Sequence, residues 1–391
     1  MNLLDACPKI YFGPDSLDAL AELPAGPVLV LCDPYMAESG AVRQVTGRLE
    51  RFGRAYSVFS EIEPDPSIQT VAASLQVLFR DKPESVVALG GGSAIDTAKA
   101  ALYVCLRYKE ALMGGRYIHR PFFVAVPTTS GSGSEVTSYA VLTDRADDVK
   151  IPLSDRAMIP DVAILDPSFT KTLPAAMIAY SGMDALTHAV EAYVSRKATV
   201  FTDLYAAAAA QAVCRCLPRL YAGTKDDATH QDMMLAATMA GLAFHNSSLG
   251  VCHGLAHTLG AEFHLPHGKA NSIILPWVIA FNAGLGPYQD RPHLDVAARY
   301  GAFARLLGAP AGSDEAGTAW LIGLIQKFNV TFQTPASLRL AGISQGAYEA
   351  ARADMTAKIL RDLTTKANPV PVTAADVCRL LADVYEGGGP L

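Results

Sequence analysis

Through the first 170 residues, short apolar runs alternate with longer stretches in which apolar positions recur every three to four residues. The runs at 27–33 (PVLVLCD), 55–61 (AYSVFSE), 85–92 (SVVALGGG), 122–129 (FFVAVPTT) and 161–167 (DVAILDP) are rich in Val, Leu, Ile and Ala. Most of them are apolar without a break, so both of their faces need cover, as in a parallel sheet packed between helices. Amphipathic stretches such as DSLDALAEL (15–23) and IQTVAASLQVLF (68–79) separate them and supply that cover. After about residue 180 the strand pattern fades, and alanine-rich helical periodicity runs on to TAADVCRLLADVYEG near the end. LYAAAAAQAVC (204–214) reads as a buried helix, and Asp203, Asp232, Ser344 and Thr373 are residue types that cap helix starts. The pattern predicts an α/β domain over 1–180 with a doubly wound parallel sheet, then an all-α domain over 181–391. A ligand is expected in the cleft between them.

Composition narrows the function classes. The chain has 391 residues, half of them hydrophobic and 18% charged, which describes a globular protein with ample core. A formal net charge of -6 and the lack of a basic stripe argue against nucleic acid as a partner. No basic-then-apolar leader opens the sequence, and no apolar run reaches the roughly 18 residues of a membrane span. The seven cysteines are scattered without a CxxC pair and read as reduced, mostly buried thiols. A cytoplasmic protein with no membrane partner is the expectation.

Two loops carry candidate ligand chemistry. In VVALGGGSAIDTAKA (86–100) a strand runs into Gly90, Gly91, Gly92 and Ser93, and a helix begins near Ala94. Glycines admit close approach of a ligand, and the helix start offers unpaired N–H groups to phosphate. In AVPTTSGSGSEVT (125–137) a second strand opens into Thr128, Thr129, Ser130, Ser132 and Ser134 interleaved with glycine, which suits pyrophosphate, ribose or amide contacts. Both loops fall at carboxyl ends of parallel strands, where open α/β sheets bind ligands. Asp33 ends the strand VLVLC; it is either a turn residue or an acceptor for an adenosine ribose that would favour NAD over NADP.

A third set is ionisable. Asp184 and His188 in SGMDALTHAVEAYVS stand at i, i+4 on one helix face, either as a hydrogen-bonded pair or as two metal ligands. Four of the nine histidines, His253, His257, His264 and His267, lie within the fifteen residues 253–267. Each buried imidazole needs a partner, and one divalent cation would satisfy several together. Mixed carboxylate and imidazole donors suit Fe, Mn, Zn or Co, and no HExxH is present to suggest a zincin protease.

The stretches GGGSAIDTAKA, PTTSGSGSEVT, GMDALTHAVEAYVS and CHGLAHTLGAEFHLPHGKAN resemble the successive signatures of the iron-containing (group III) alcohol dehydrogenases. The resemblance runs from KIYFG at 9–13 to NPVPVTAADVCRLL at 368–381. It implies a Rossmann-like dinucleotide-binding domain followed by an all-α catalytic domain, the dehydroquinate synthase-like architecture. It places metal ligands on Asp184, His188, His253 and His267, for Fe2+ or Zn2+, and a proton-transfer role on His257. It assigns His264 no ligand role, which leaves that residue a structural one. It places NAD contacts on Asp33, Gly90, Gly91, Gly92, Ser93, Asp96, Thr128, Thr129, Ser132 and Lys150. SEIEPDPSIQTV and VKIPLSDRAMIPDVAILDP are most similar to the microcompartment-associated 1-propanol dehydrogenases and the ethanolamine-utilisation alcohol dehydrogenases. That subgroup implies a small alcohol or aldehyde substrate, a homodimer, and association with a bacterial microcompartment. Other aldehydes (lactaldehyde, 3-hydroxypropanal, a phosphonate aldehyde) are the alternatives. A dehydroquinate synthase-like lyase needs a basic cluster for its phosphorylated substrate, and here only Lys269 lies near the histidines.

Overall fold

The computed structural model describes residues 3–5, 8–114, 119–145 and 149–391. The chain divides into two compact units. One comprises Asp5–Leu173 and Lys225–Gly241 and contains every strand; the other is built mainly from Pro174–Thr224 and Leu242–Leu391 and is helical.

In the first unit, six parallel strands form one sheet: β1 (Lys9–Phe12), β2 (Val28–Cys32), β3 (Tyr56–Phe59), β4 (Ser85–Gly90), β5 (Phe122–Pro127) and β8 (Val162–Leu165). Their order is β1-β8-β5-β4-β2-β3. β6 (Tyr139–Asp144) and β7 (Val149–Ser154) make a separate antiparallel hairpin in which Thr143 faces Lys150. Every residue of β2 and β4 is buried, and successive residues enter different cores. Leu29, Leu31, Val86, Ala88, Phe123 and Ala125 pack on one face against α3 (Ile68–Asp81) and α4 (Gly92–Leu112). Val28, Val30, Val87, Leu89, Val124 and Val126 pack on the other, against Leu17, Leu20 and helix residues Val45 and Leu49. Two short helices, α1 (Pro34–Glu38) and α2 (Val42–Arg51), complete that second cover.

Five of these strands match the sequence-predicted runs. β1 and the hairpin were not among them, and DSLDALAEL folds as a 3-10 helix over Ser16–Glu22. From β2 the chain crosses to the sheet edge at β3, returns to β4, and then proceeds the other way to β5. The carboxyl ends of β2 and β4 therefore flank a topological switch point, the crevice where open α/β sheets receive ligands. The first part of α7 (Asp227–Ser247) belongs to this unit. Thr238 Oγ1 donates to the buried Glu135 carboxylate at 2.6 Å, and His230 Nδ1 meets Thr170 Oγ1 at 2.8 Å. Gly133 stands at φ +61° with the Gly241 Cα only 2.6 Å from where a Cβ would be.

The helical unit contains α5 (Ala175–Val194), α6 (Val200–Tyr221), α8 (Val251–Phe263), α9 (His267–Ala283), α10 (Leu294–Leu306), α11 (Asp314–Thr331), α12 (Gln345–Arg361) and α13 (Ala374–Glu386). α9 is its axis: HGKANSIILPWVIAFNA is apolar almost all round, and the helix packs against α5, α8, α10, α11 and α13. Ser344 and Thr373 cap α12 and α13 as expected. Thr199 rather than Asp203 caps α6, and Asp226, which accepts from the Thr229 N–H at 2.8 Å, precedes α7 while Asp232 lies inside it. Among the described residues no helix is long and apolar enough to cross a membrane. The described cysteines are all unbridged, and Cys7 lies outside the described residues.

Candidate metal centre and cofactor cradle

α5 is buried from Gly182 to Val194, so Asp184 and His188 project from one face of it into the interior. α8 contributes His253 and, one turn later, His257. It ends at His264, whose φ of +52° turns the chain toward Pro266 and the start of α9, and His267 is the first residue of that helix. This places His264 as a turn residue. A Cβ at Gly268 would stand 2.0 Å from the Tyr180 carbonyl oxygen, so α9 begins hard against α5, which brings His267 to Asp184. Gly268→Ala is expected to force those backbones apart at about 2–3 kcal/mol. Thermal denaturation checks it, with a midpoint lower by roughly 2–5 °C.

Asp184, His188, His253 and His267 offer four donor atoms within 4.8 Å of one another. Asp184 Oδ1 lies 3.8 Å from His188 Nε2, 3.7 Å from His253 Nε2 and 3.4 Å from His267 Nε2. Metal–ligand bonds of about 2.1 Å in tetrahedral array put donors about 3.4 Å apart, so the group has the size of a metal cage. One carboxylate with three imidazoles suits divalent iron or zinc.

Protonation states fit that use. Burial alone would raise the Asp184 carboxyl, but His188, His267 and His253 outweigh it and hold the group well below the ordinary carboxylate range. Burial pushes the His267 imidazole down to about 3, with Asp184 opposing only in part. An ionised carboxylate and a neutral imidazole are the forms a metal requires. At His253 burial is overcome by hydrogen bonds to Asp184 and Glu191, which lift it to about 9. A cation held beside Asp184 would take the place of that proton.

Three neighbours were not singled out from the sequence. Glu191 Oε2 is 2.5 Å from His253 Nδ1, on the side away from Asp184. Asn271 Nδ2 donates to Asp184 Oδ1 at 2.8 Å and lies 3.3 Å from Nε2 of both His253 and His267. Asp362, just past α12, is 2.9 Å from His257 Nδ1 and accepts from the Thr364 N–H and hydroxyl. Burial would raise Asp362, yet the His257 and Thr364 hydrogen bonds bring it well below the usual range, so it stays ionised. His257 stands outside the four-donor group, stacked on His267 at 5.3 Å between ring centroids. Phe244 stacks on His188 at 4.5 Å and closes that side with an apolar ring.

In the α/β unit, the predicted cofactor residues gather at the switch point. Gly90 pairs with Pro127 across β4 and β5, and the Thr128 N–H donates to the Gly90 carbonyl at 3.0 Å. A Cβ at Gly91 would meet Thr129 at 3.4 Å, and one at Gly92 would meet Ser132 at 3.1 Å, so the two loops form one surface with no side chain on the glycine side. Gly91 caps α4, aiming its first amides outward beside Ser93. Asp33 Oδ1 accepts from the Met36 N–H at 2.9 Å, capping α1, while Oδ2 lies beside Gly90. Asp96 is engaged internally: Oδ1 accepts from Ser134 Oγ and Oδ2 from the Val141 N–H. Lys150 Nζ reaches Asp65 Oδ1 at 2.5 Å and Thr143 Oγ1 at 3.0 Å, and the Asp65 N–H donates to Ser93 Oγ.

Comparison with known proteins follows the same division. Residues 7–167 match the family description iron-containing alcohol dehydrogenase, and 178–385 match Fe-containing alcohol dehydrogenase family, C-terminal. The chain is 38% identical to the 1-propanol dehydrogenase PduQ of Salmonella typhimurium, over 98% of this chain and all of that one. It is 34% identical to the NADPH-dependent butanol dehydrogenase of Clostridium saccharobutylicum, over 97% of this chain and 96% of that one. The sulfoacetaldehyde reductase of Bifidobacterium kashiwanohense, solved in complex with NAD+, superposes with a TM-score of 0.83 at 26% identity, covering 98% of both chains. With both units matched and relatives aligned from end to end, the chain belongs to the iron-containing alcohol dehydrogenase family of oxidoreductases.

Proposed function

We propose that the protein interconverts small primary alcohols and aldehydes, 1-propanol and propanal as the expected pair, using NAD(H) and a divalent metal, Fe2+ or Zn2+. The observation that carries this reading is the cage of one carboxylate and three imidazoles, buried except at the half-exposed His267. Bound there, the metal supplies Lewis acidity toward the substrate oxygen, and the nicotinamide exchanges hydride. Asp184, His188, His253 and His267 fix the ion, and the Phe244 ring beside His188 keeps that wall dry. His257 exchanges the alcohol proton at Nε2, because the ionised Asp362 accepts the Nδ1 proton and so sets the tautomer. Gly90–Ser93 and the Thr128–Ser132 loop hold the dinucleotide pyrophosphate. The Asp33 carboxylate beside Gly90 favours a free ribose hydroxyl over a 2′-phosphate.

The likeness to a 1-propanol dehydrogenase at 38% identity supports the substrate class. The likeness to an NADPH-dependent butanol dehydrogenase gives a second reading of the coenzyme. The test is NADH and NADPH oxidation with propanal before and after chelation, with iron or zinc restored. Activity lost with chelator and regained with metal is the expected result. No turnover of any small aldehyde by fully metal-loaded protein would refute the substrate class. A homodimer and association with a bacterial microcompartment complete the proposal, and sedimentation velocity checks the first.

His257→Ala is expected to keep its metal while kcat falls roughly 10²-fold. Asp362→Asn, whose amide oxygen can still accept from Nδ1 but brings no negative charge to His257, shifts the pH–rate profile. Metal content by elemental analysis beside the two profiles decides the matter. Loss of metal from His257→Ala would contradict the division of roles.

A further inference from the structure

Glu191 lies on α5 one turn beyond His188 and two turns beyond Asp184, and it is 3% exposed. Its carboxylate reaches α8 twice. Oε2 is 2.5 Å from His253 Nδ1, and Oε1 accepts from the Cys252 backbone N–H at 2.8 Å. The corner leaves no room for a side chain at Gly250, where a Cβ would come within 2.7 Å of Glu191 Oε1 and 2.8 Å of Asn368 Oδ1. Gly250 caps α8 without a side-chain acceptor, so the first amides of that helix are met from afar, Cys252 by Glu191 and Val251 by Asn368 Oδ1. A carboxylate is an acceptor at both oxygens. Facing it, His253 keeps its proton on Nδ1 in the neutral ring, so Nε2, 3.7 Å from Asp184 Oδ1, is the nitrogen left to bind a cation.

Resting on the metal reading above, we propose that Glu191 is the positioning residue of the metal centre. It fixes the His253 tautomer and the rotation of its ring while anchoring the start of α8, and it touches the metal only through His253. Carboxylate–histidine pairs of this kind typically change metal affinity 10–100-fold when broken.

The side chain of Glu191→Gln has nearly the same shape but one donor end. With its amide nitrogen toward His253 it forces the proton onto Nε2 and removes the lone pair. With its oxygen there it sets an NH2 against the Cys252 N–H. Glu191→Ala removes the acceptor without imposing the opposite tautomer. Affinity for Co(II) and Zn(II) is measured by competition with a chromophoric chelator, and unfolding midpoints are taken on the metal-free proteins. Imidazole ¹⁵N shifts report the His253 tautomer, and Asp184→Ala serves as the variant without a site. The expected order of affinity is wild type, Glu191→Ala, Glu191→Gln, with the last about 10–100-fold weaker than wild type. The Nδ1 signal is expected to change from protonated to bare in Glu191→Gln. Wild-type affinity in Glu191→Gln, or equal losses in both variants with only the metal-free midpoint lowered, overturns the positioning role. Equal metal binding by wild type and Asp184→Ala would instead refute the metal centre itself, and this proposal with it.

Discussion

Asp184→Ala is expected to lose the metal and to cut turnover by about 10³–10⁴, the several kcal/mol of charge stabilisation that a catalytic metal provides. Asp184 is the only anion among the four donors, and its Oδ1 lies within 4 Å of all three ligating imidazole nitrogens. Without it, three imidazoles would face an entering dication with no negative charge to offset its desolvation. His253→Ala is expected to act likewise, removing the donor that Glu191 orients. Neither change is expected to unfold the helical unit, whose α5 and α9 are held by apolar residues along their whole buried lengths. The thermal midpoint separates metal loss from misfolding. At metal concentrations near 100 times its Kd, the wild type gains about 2.7 kcal/mol from binding, and the variants gain none. Equimolar metal in purified Asp184→Ala would remove this residue from the centre.

Helical spacing alone pairs 184 with 188 and 253 with 257, each one turn apart, but it does not say which of them bind a metal. The set Asp184, His188, His253 and His267 comes from the family resemblance, since no spacing ties His267 to the other three. The sheet was legible from its composition, since VLVLC and the VVALG of β4 have no polar position to give to solvent. β1 escaped notice because an edge strand with a mixed pattern, KIYF, is exposed at both ends and resembles a loop in composition. The 6–7 hairpin has no tight-turn dipeptide to announce it. Partners set by tertiary contact were the larger gap. Asp362 lies 105 residues from His257, and no local periodicity links them. Glu191 was closer to legible: it shares the face of α5 that carries Asp184 and His188, and a third acid or imidazole on that buried stretch signals a buried partner. The resemblance implies a cofactor contact at Asp96, whereas in the structure both of its carboxylate oxygens are engaged internally, by Ser134 Oγ and the Val141 N–H, a role that spacing does not reveal.

Lys99→Met is expected to destabilise the α/β unit by about 3–5 kcal/mol near neutral pH, because it leaves buried carboxylates without their cation. Lys99 is fully buried in α4 and donates from Nζ to Ser134 Oγ, Thr137 Oγ1 and the Tyr139 carbonyl. Ser134 Oγ in turn donates to Asp96, so one lysine secures the segment between the serine-rich loop and β6. Burial lowers Lys99 from 10.5 to about 8, against the pull of Asp96 and Glu135. Burial likewise raises Asp96 and Glu135, with Lys99 among the groups that oppose it. In the wild type, the unfolded chain binds more protons at this lysine between about pH 8 and 10.5, so its contribution makes stability rise with pH there, by at most about 1.4 kcal/mol per unit. Lys99→Met lacks that rise. Its carboxylates, raised further above their unfolded values, oppose folding above those values and are relieved as pH falls through the folded ones. The gap between the two proteins should therefore narrow toward pH 5 and widen further above about pH 8. Urea denaturation of metal-free wild type and variant from pH 5 to 9.5 measures it. Parallel stability curves would mean that Lys99 contributes packing alone, and that the hydroxyls around it hold the loop without its charge.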